Sequence, residues 1–335
     1  MGRPTGWRLT TLLVGVVVLV VSVPVGLRFG AASITFADVY HAFFHYNGRY
    51  TDVVVRQLRE PEVFVGIEVG AALAVAGVLM QGLTRNPLAD SGILGINSGA
   101  SFFVVLGITV FGVHSPIDFV FFALPGAAFG VALGSVVALA GRGQVTPLKL
   151  TLGGVITGLI LSAGTQIVSA VNPVLTNQYG YWTAGSIEGA YMGTVSATWP
   201  FVVAGLVMTI PLGKALNGLS LGEDMARALG QHVGRTRAGV IVATVLLAGA
   251  ATAAVGPIAF IGFAVAHMVR GVVGNDYRWL IPLSALFGAD MVVVADIVGR
   301  VIIRPSVIPA TEVISIVGGL FFLISVCRPK GVVPL

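Results

Sequence analysis

Charge is scarce in this chain. Its 335 residues include 19 Lys or Arg and 14 Asp or Glu, 10% in all, where a soluble domain carries roughly 25%. Cysteine is nearly absent. The single Cys327 excludes an internal disulfide, and no Cys/His cluster has metal-ligand spacing. Also missing is a glycine-rich loop ending in Gly-Lys-Ser/Thr, which an ATPase needs to cradle phosphates. The lone Gly-Lys, Gly213-Lys214, is followed by Ala215, with no glycine at the upstream motif position. Any ATP chemistry therefore has to come from another chain. There is no soluble domain, linker or low-complexity run.

Apolar and small residues fill the space. The chain is 56% hydrophobic, holds 45 glycines and has a mean hydropathy of +0.95. A soluble fold of this size has too little interior to hide that much apolar surface, so lipid is the solvent for most of it. Small residues let membrane helices approach closely, where lipid supplies no hydrophobic drive for association. The pattern predicts an all-α polytopic membrane protein, one domain over residues 1–335. About ten transmembrane helices, each near the roughly 20 residues a bilayer core requires, fall at 9–29, 61–83, 92–113, 117–140, 148–171, 194–213, 238–256, 257–272, 279–300 and 312–328. The turn at Gly256-Pro257 alone separates the seventh from the eighth. The first apolar run is too long for a signal-peptide core of roughly 7–15 residues and reads as a retained span.

With the N-terminus inside, inner segments hold 13 of the 19 basic residues, as the positive-inside rule expects. Both termini are then cytoplasmic. The net charge of +5 reads as loop charge that sets topology, not as nucleic-acid affinity. Arg28, Arg49, Arg56, Arg59, Arg300 and Arg304 are left outside. The outer stretch "FADVYHAFFHY" puts His41 and His45 one helical turn apart. Its aromatic neighbours favour an interfacial helix over a metal or haem site.

One inner segment, 214–237, is charged and amphipathic. In "LSLGEDMARALGQHVGRTR", Leu219, Leu221, Met225, Ala226, Leu229 and Val233 form an apolar stripe near helical period. Glu223 and Arg227 stand four apart, in the order that supports a helix. Gly222 and Gly230 break the run, which predicts two short helices joined by a turn. An isolated charge run is usually a solvated loop; the stripe argues for something to bury against, either the membrane face or another protein. A second stretch, "RNPLADSGILGINSGA", carries a turn signal at Asn86-Pro87. There Asn97 and Ser98 either line a water path or satisfy backbone groups at a helix start. Glu68, Gln81, Gln166, Asp290 and Asp296 fall at membrane depth, where an ionised group costs roughly 2.5–3.5 kcal/mol. A protonated, hydrogen-bonded Glu68 is the plainer reading there, against a pathway residue.

The stretch "VGAALAVAGVLMQGLTRNPLADSGILGINSGA", then "YWTAGSI", "LSLGEDMARALGQHVG", "GPIAFIGFAVAHMVRGVVGNDYRWLIP" and "GADMVVVADIVGR" resemble the FecCD-type permeases, in order along most of the chain. These are membrane subunits of bacterial importers for iron–siderophores, haem and cobalamin. The resemblance implies a type II ABC importer permease fold, cobalamin-permease-like, paired with a second permease copy or homologue. ABC ATPase subunits carrying ATP-Mg would dock below, and an extracytoplasmic substrate-binding protein above. The chain itself would hold no cofactor or metal and catalyse nothing. The coupling helices would match Leu219, Leu221, Gly222, Glu223, Ala226, Arg227, Leu229 and Gly230. Arg59 and Arg300 fall on positions that meet glutamates of the binding protein, with Arg56 or Arg304 as a substitute. Asn97, Ser98 and Gln166 are candidates for the pathway or for helix packing.

The chain departs from the family at several points. The family's "RLPR" reads "REPE", so Glu62 stands at its second arginine. Val307 replaces a glutamate and Leu320 a proline, which predicts a less kinked last helix. The rival function is an ion-gradient-driven secondary transporter, which would need a relay built on Glu68, Asp290 and Asp296 and broken helices in two matching halves; no such repeat is visible. A purely structural membrane partner is the third class.

Overall fold

A computed structural model of the chain describes residues 5–30, 32–113, 115–140, 146–171, 182, 185–303 and 306–327. Arg3, Arg142, Arg304, Arg328 and Lys330 lie outside these. All regular secondary structure among the described residues is helical, with no strand. Helix α1 is Thr5–Arg28 and α2 is Phe36–Phe44. A short α3, Tyr50–Val53, continues through a π-helical segment, Val54–Arg59, into α4, Glu60–Thr84. A 3-10 turn, Ser91–Leu94, precedes α5, Ile96–Phe111. Then follow α6 (Pro116–Leu139), α7 (Pro147–Val171), α8 (Met192–Ser220), α9 (Glu223–Ala228) and α10 (Val233–Val255). The chain closes with α11 (Ile261–Val273), α12 (Tyr277–Ile302) and α13 (Ala310–Cys327).

All ten expected spans have a helix. Seven helical segments are long and apolar enough to cross a membrane, and α5, α11 and α13 are shorter apolar helices. The weak division near Gly256-Pro257 is real. Helix α10 stops at Val255 because Gly256 turns to φ +80°, a conformation that favours glycine. The span expected at 92–113 starts late, since Gly95 at φ +79° separates the 3-10 turn from α5. Thus α5 and α11 each follow a non-helical segment, a pairing that hydropathy alone did not show. Leu320, at the position of the family's proline, is exposed on α13.

Helix α4 is the axis of the bundle. It packs on α12, α10, α11 and α8, and Val65, Val69, Leu73, Leu79 and Met80 are buried around it. Its closest neighbour is α12. A methyl group on Gly70 would collide with the Gly288 carbonyl, and one on Gly288 with that of Gly70. The same device joins α5 to α6 at Gly99 and Gly126. Apolar side chains cover the outside: Leu13 and Val17 on α1, Leu159 and Ile167 on α7, and Ile316 and Leu323 on α13 are all more than half exposed. Exposed apolar surface on this scale marks contact with lipid or with another protein.

Candidate functional site

The charged segment forms an elbow between α8 and α10. The structure corrects the expected pair of short helices. Leu219 belongs to the last turn of α8, which runs on to Ser220, and only α9 is a separate short helix. The long α8 continues because no glycine turn interrupts it before Gly222, whose φ of +112° makes the first bend. Gly230, at φ +78°, makes the second.

The apolar stripe divides in two. Leu219, Ala226 and Val233 are buried against the bundle, whereas Leu221 is 66% exposed, Met225 53% and Leu229 67%. The inward half fixes α9, and the outward half is presented at the end of the bundle. Glu223 pairs with Arg227 of its own helix at 3.4 Å and with Arg237 of α10, so one carboxylate ties α9 to the next span. Gln231 adds a second tie. Its Nε2 donates to the Ala215 carbonyl at 2.9 Å and to Thr236 Oγ1 at 3.1 Å. A cleft of about 510 Å³ beside the elbow is lined by Arg227, Gln231, His232, Arg235 and Arg237.

Arg85 was legible in the sequence only as loop charge. It caps α4 at φ +51°, and its Nη2 donates to the Leu219 carbonyl at 2.9 Å. The end of the axial helix is thereby bound to the start of the elbow. Asn217 works nearby. Its Nδ2 donates to Asp276 at 2.7 Å, and its Oδ1 accepts from the Tyr277 N–H at 2.9 Å. Asp276 caps α12 and pairs with Arg8 at 3.7 Å. Partial burial raises its carboxyl, but the Arg278 side chain, Asn217 and the Arg278 N–H outweigh that, so its pKa lies below the ordinary 3.8.

The opposite end of α4 holds a buried ion cluster. Glu62 Oε2 lies 3.3 Å from Arg59 Nη1 and 3.3 Å from Arg300 Nη1, and Arg300 also pairs with Asp296. Arg300 Nη1 donates to the Gly26 carbonyl at 3.2 Å, and Glu62 Oε1 accepts from the Gly189 N–H at 3.4 Å. Arg59, Glu62, Asp296 and Arg300 are each under a tenth exposed. Arg59 and Arg300, the residues expected to meet a binding protein, are here both buried, with their guanidinium groups engaged inside the chain by Glu62. Asp296 is a partner of Arg300 within this cluster. Arg56 is exposed, donating to the Phe43 carbonyl at 3.2 Å and resting over Phe43 and Tyr46. A cavity of about 320 Å³ next to the cluster is lined by Tyr50, Leu58, Arg59, Glu62, Glu188 and Arg300.

The remaining candidates separate. Asn97 Oδ1 accepts from Thr252 on α10 at 3.1 Å, and Ser98 accepts from Ser162 on α7 at 3.2 Å, so both join helices. Gln166 is exposed on α7 among apolar side chains. Glu68 is buried on α4 beside Thr198 of α8. Gln81 accepts from Arg270 at 2.7 Å, and Arg270 is itself buried in α11, not free in a loop. His41 faces Asp52 at 3.0 Å, and no group of three or more His, Cys, Asp or Glu suited to a metal occurs among the described residues.

Among the described residues, ten apolar helices at the expected spans, some of them zipped by glycines, and one amphipathic elbow make up the architecture of a polytopic membrane protein. The chain belongs to the FecCD transport family, whose sequence model matches residues 17–328. It is 39% identical to the ferric enterobactin transport system permease protein FepD of Escherichia coli (strain K12), covering 91% of this chain and 92% of that one. It is 37% identical to the Fe(3+)-citrate import system permease protein YfmD of Bacillus subtilis (strain 168), covering 96% and 95%. Among solved structures, a chain of a metal-chelate type ABC transporter in an inward-facing conformation superposes with a TM-score of 0.82 at 26% identity, covering 96% of this chain and 99% of that one. The protein is thus a multi-pass permease subunit of an ABC importer, in a family that moves iron–siderophores and haem.

Proposed function

We propose that the chain forms one half of an alternating-access importer for a ferric chelate, driven by a separate ATPase that grips the elbow at 214–237. The outward half of the stripe carries this reading. Leu221, Met225 and Leu229 are exposed at the end of a bundle whose own packing already uses Leu219, Ala226 and Val233. An exposed apolar row beside Arg227, Arg235 and Arg237 suits a protein groove with an apolar floor and an acidic rim, since charge at the rim orients the encounter. The elbow end then faces the cytoplasm, with both termini on that side of the cytoplasmic membrane, and ATP-Mg belongs to the partner.

A second permease copy or homologue completes the pathway, for which Gln166 and the exposed face of α7 are available. At the far end a binding protein delivers cargo, and Arg49 and Arg56 are exposed there among the described residues. Ferric chelate is favoured by the cargo named for FepD and YfmD.

Leu221→Asp combined with Leu229→Asp tests the elbow. Both side chains are exposed, so the permease should still fold, while capture of its cognate ATPase and ATP-dependent uptake should be lost. Retention of both would refute the assignment. Uptake of labelled ferric siderophore, haem and cobalamin by a deletion strain carrying the wild-type chain identifies the cargo.

A further inference from the structure

We propose that the groove between α8 and α12 is a binding site for one anionic phospholipid, with an acyl chain in the groove and the phosphate between Lys214 and Arg278. The groove has a volume of about 450 Å³ and is walled by Leu206, Thr209, Ile210, Ile281, Pro282 and Ala285. It lies on the apolar flank of the bundle: Ile210 is 76% exposed, and Val207 beside it 57%. At one end the two helices close together, where a Cβ on Gly213 would lie 3.5 Å from the Tyr277 carbonyl and 3.6 Å from Arg278 Cα. An acyl chain therefore has a closed end at the elbow side and runs from there into the membrane.

Two cations stand at that closed end. Lys214 is exposed and lies one turn beyond Ile210 on the same helix face. It enters no ion pair among the described residues. The Arg278 side chain is 68% exposed. Its Nε and Nη2 are held by Asp276 at 3.1 and 3.2 Å, which fixes the guanidinium and leaves Nη1 for a ligand. Arg8 offsets the charge of Asp276, so the local excess is two positive charges. A zwitterionic headgroup would bring its own ammonium into this field, whereas a phosphodiester with an uncharged polar head would not. Basic pockets between membrane helices select anionic headgroups on this ground.

The test is native mass spectrometry of the full-length chain in detergent, given equal amounts of phosphatidylglycerol and phosphatidylethanolamine with matched acyl chains. Wild type should retain phosphatidylglycerol in preference. Lys214→Gln, which breaks no internal pair, should lower that preference about five-fold, and Arg278→Gln by a similar factor. Ala285→Leu narrows the groove with both cations in place and should reduce retention of both lipids. Millimolar glycerol 1-phosphate should displace neither. Equal retention of the two lipids, or a preference that Lys214→Gln leaves unchanged, overturns the site. Displacement by glycerol 1-phosphate overturns the role of the groove.

Discussion

Glu62 shows how one side chain can reverse the meaning of its neighbours. In sequence it stands where the family carries an arginine. In the structure it is the carboxylate that Arg59 and Arg300 share, each under a tenth exposed, with Asp296 as the second partner of Arg300. Removing one partner of a buried ion pair leaves an uncompensated charge, at about 3–5 kcal/mol. Glu62→Gln should therefore lower the thermal unfolding temperature of the detergent-solubilised chain strongly. Adding Arg300→Gln to it should cost less than the two changes summed, because the second removes a charge the first left stranded. Simple additivity in that cycle would show that Glu62 does not hold Arg300. The cluster as a whole was not legible in sequence, because its two local pairs, Arg59 with Glu62 and Asp296 with Arg300, are remote from each other in the chain. A basic residue near a span end reads as an anchor or a docking cation until its partner is seen. Arg270 is a like case, buried with a partner, Gln81, 189 residues away.

At the scale of elements, hydropathy placed a helix in each expected span, because a bilayer core asks for about 20 apolar residues per crossing; it overstated the lengths of α5 and α11, which are 16 and 13 residues long. It also located the elbow, since a charged amphipathic run cannot cross. It did not tell which half of the apolar stripe would face the bundle. Two residues apart, Leu219 and Leu221 point to nearly opposite sides of the last turn of α8, and the packing of that turn, followed by the bend at Gly222, decides which of them meets the bundle. That bend is itself testable. Gly222 has φ +112° and no atom within 4 Å of where a Cβ would sit, so Gly222→Ala meets no steric neighbour and acts through the backbone alone. A residue forced into such a region costs about 1–3 kcal/mol. The expected result is an elbow that reorients to relieve it: weaker capture of the ATPase, with thermal stability of the bundle nearly unchanged. A loss of stability with capture intact would place the role of Gly222 inside the bundle.

At the scale of the molecule, α4 is tied at both ends. Its far end enters the Glu62 cluster with α1, α12 and the turn at Gly189. Its near end is fastened to the elbow by Arg85, whose guanidinium holds the Leu219 carbonyl. Twenty-five helical residues at 1.5 Å each make a strut of about 37 Å, long enough to carry a displacement from one membrane face to the other. On the proposed mechanism, Arg85 transmits the motion but does not grip the ATPase. Arg85→Asn separates the two, because asparagine tolerates the left-handed cap that φ +51° requires while lacking the guanidinium. In proteoliposomes with the cognate ATPase, the variant should keep ATPase capture and ATP hydrolysis but move less cargo per ATP. If capture falls together with uptake, Arg85 serves only to shape the elbow. If the ratio of cargo to ATP is unchanged, the strut does not run through this bond, and the contact of α8 with α12 at Gly213 is left as the route by which the elbow moves the bundle.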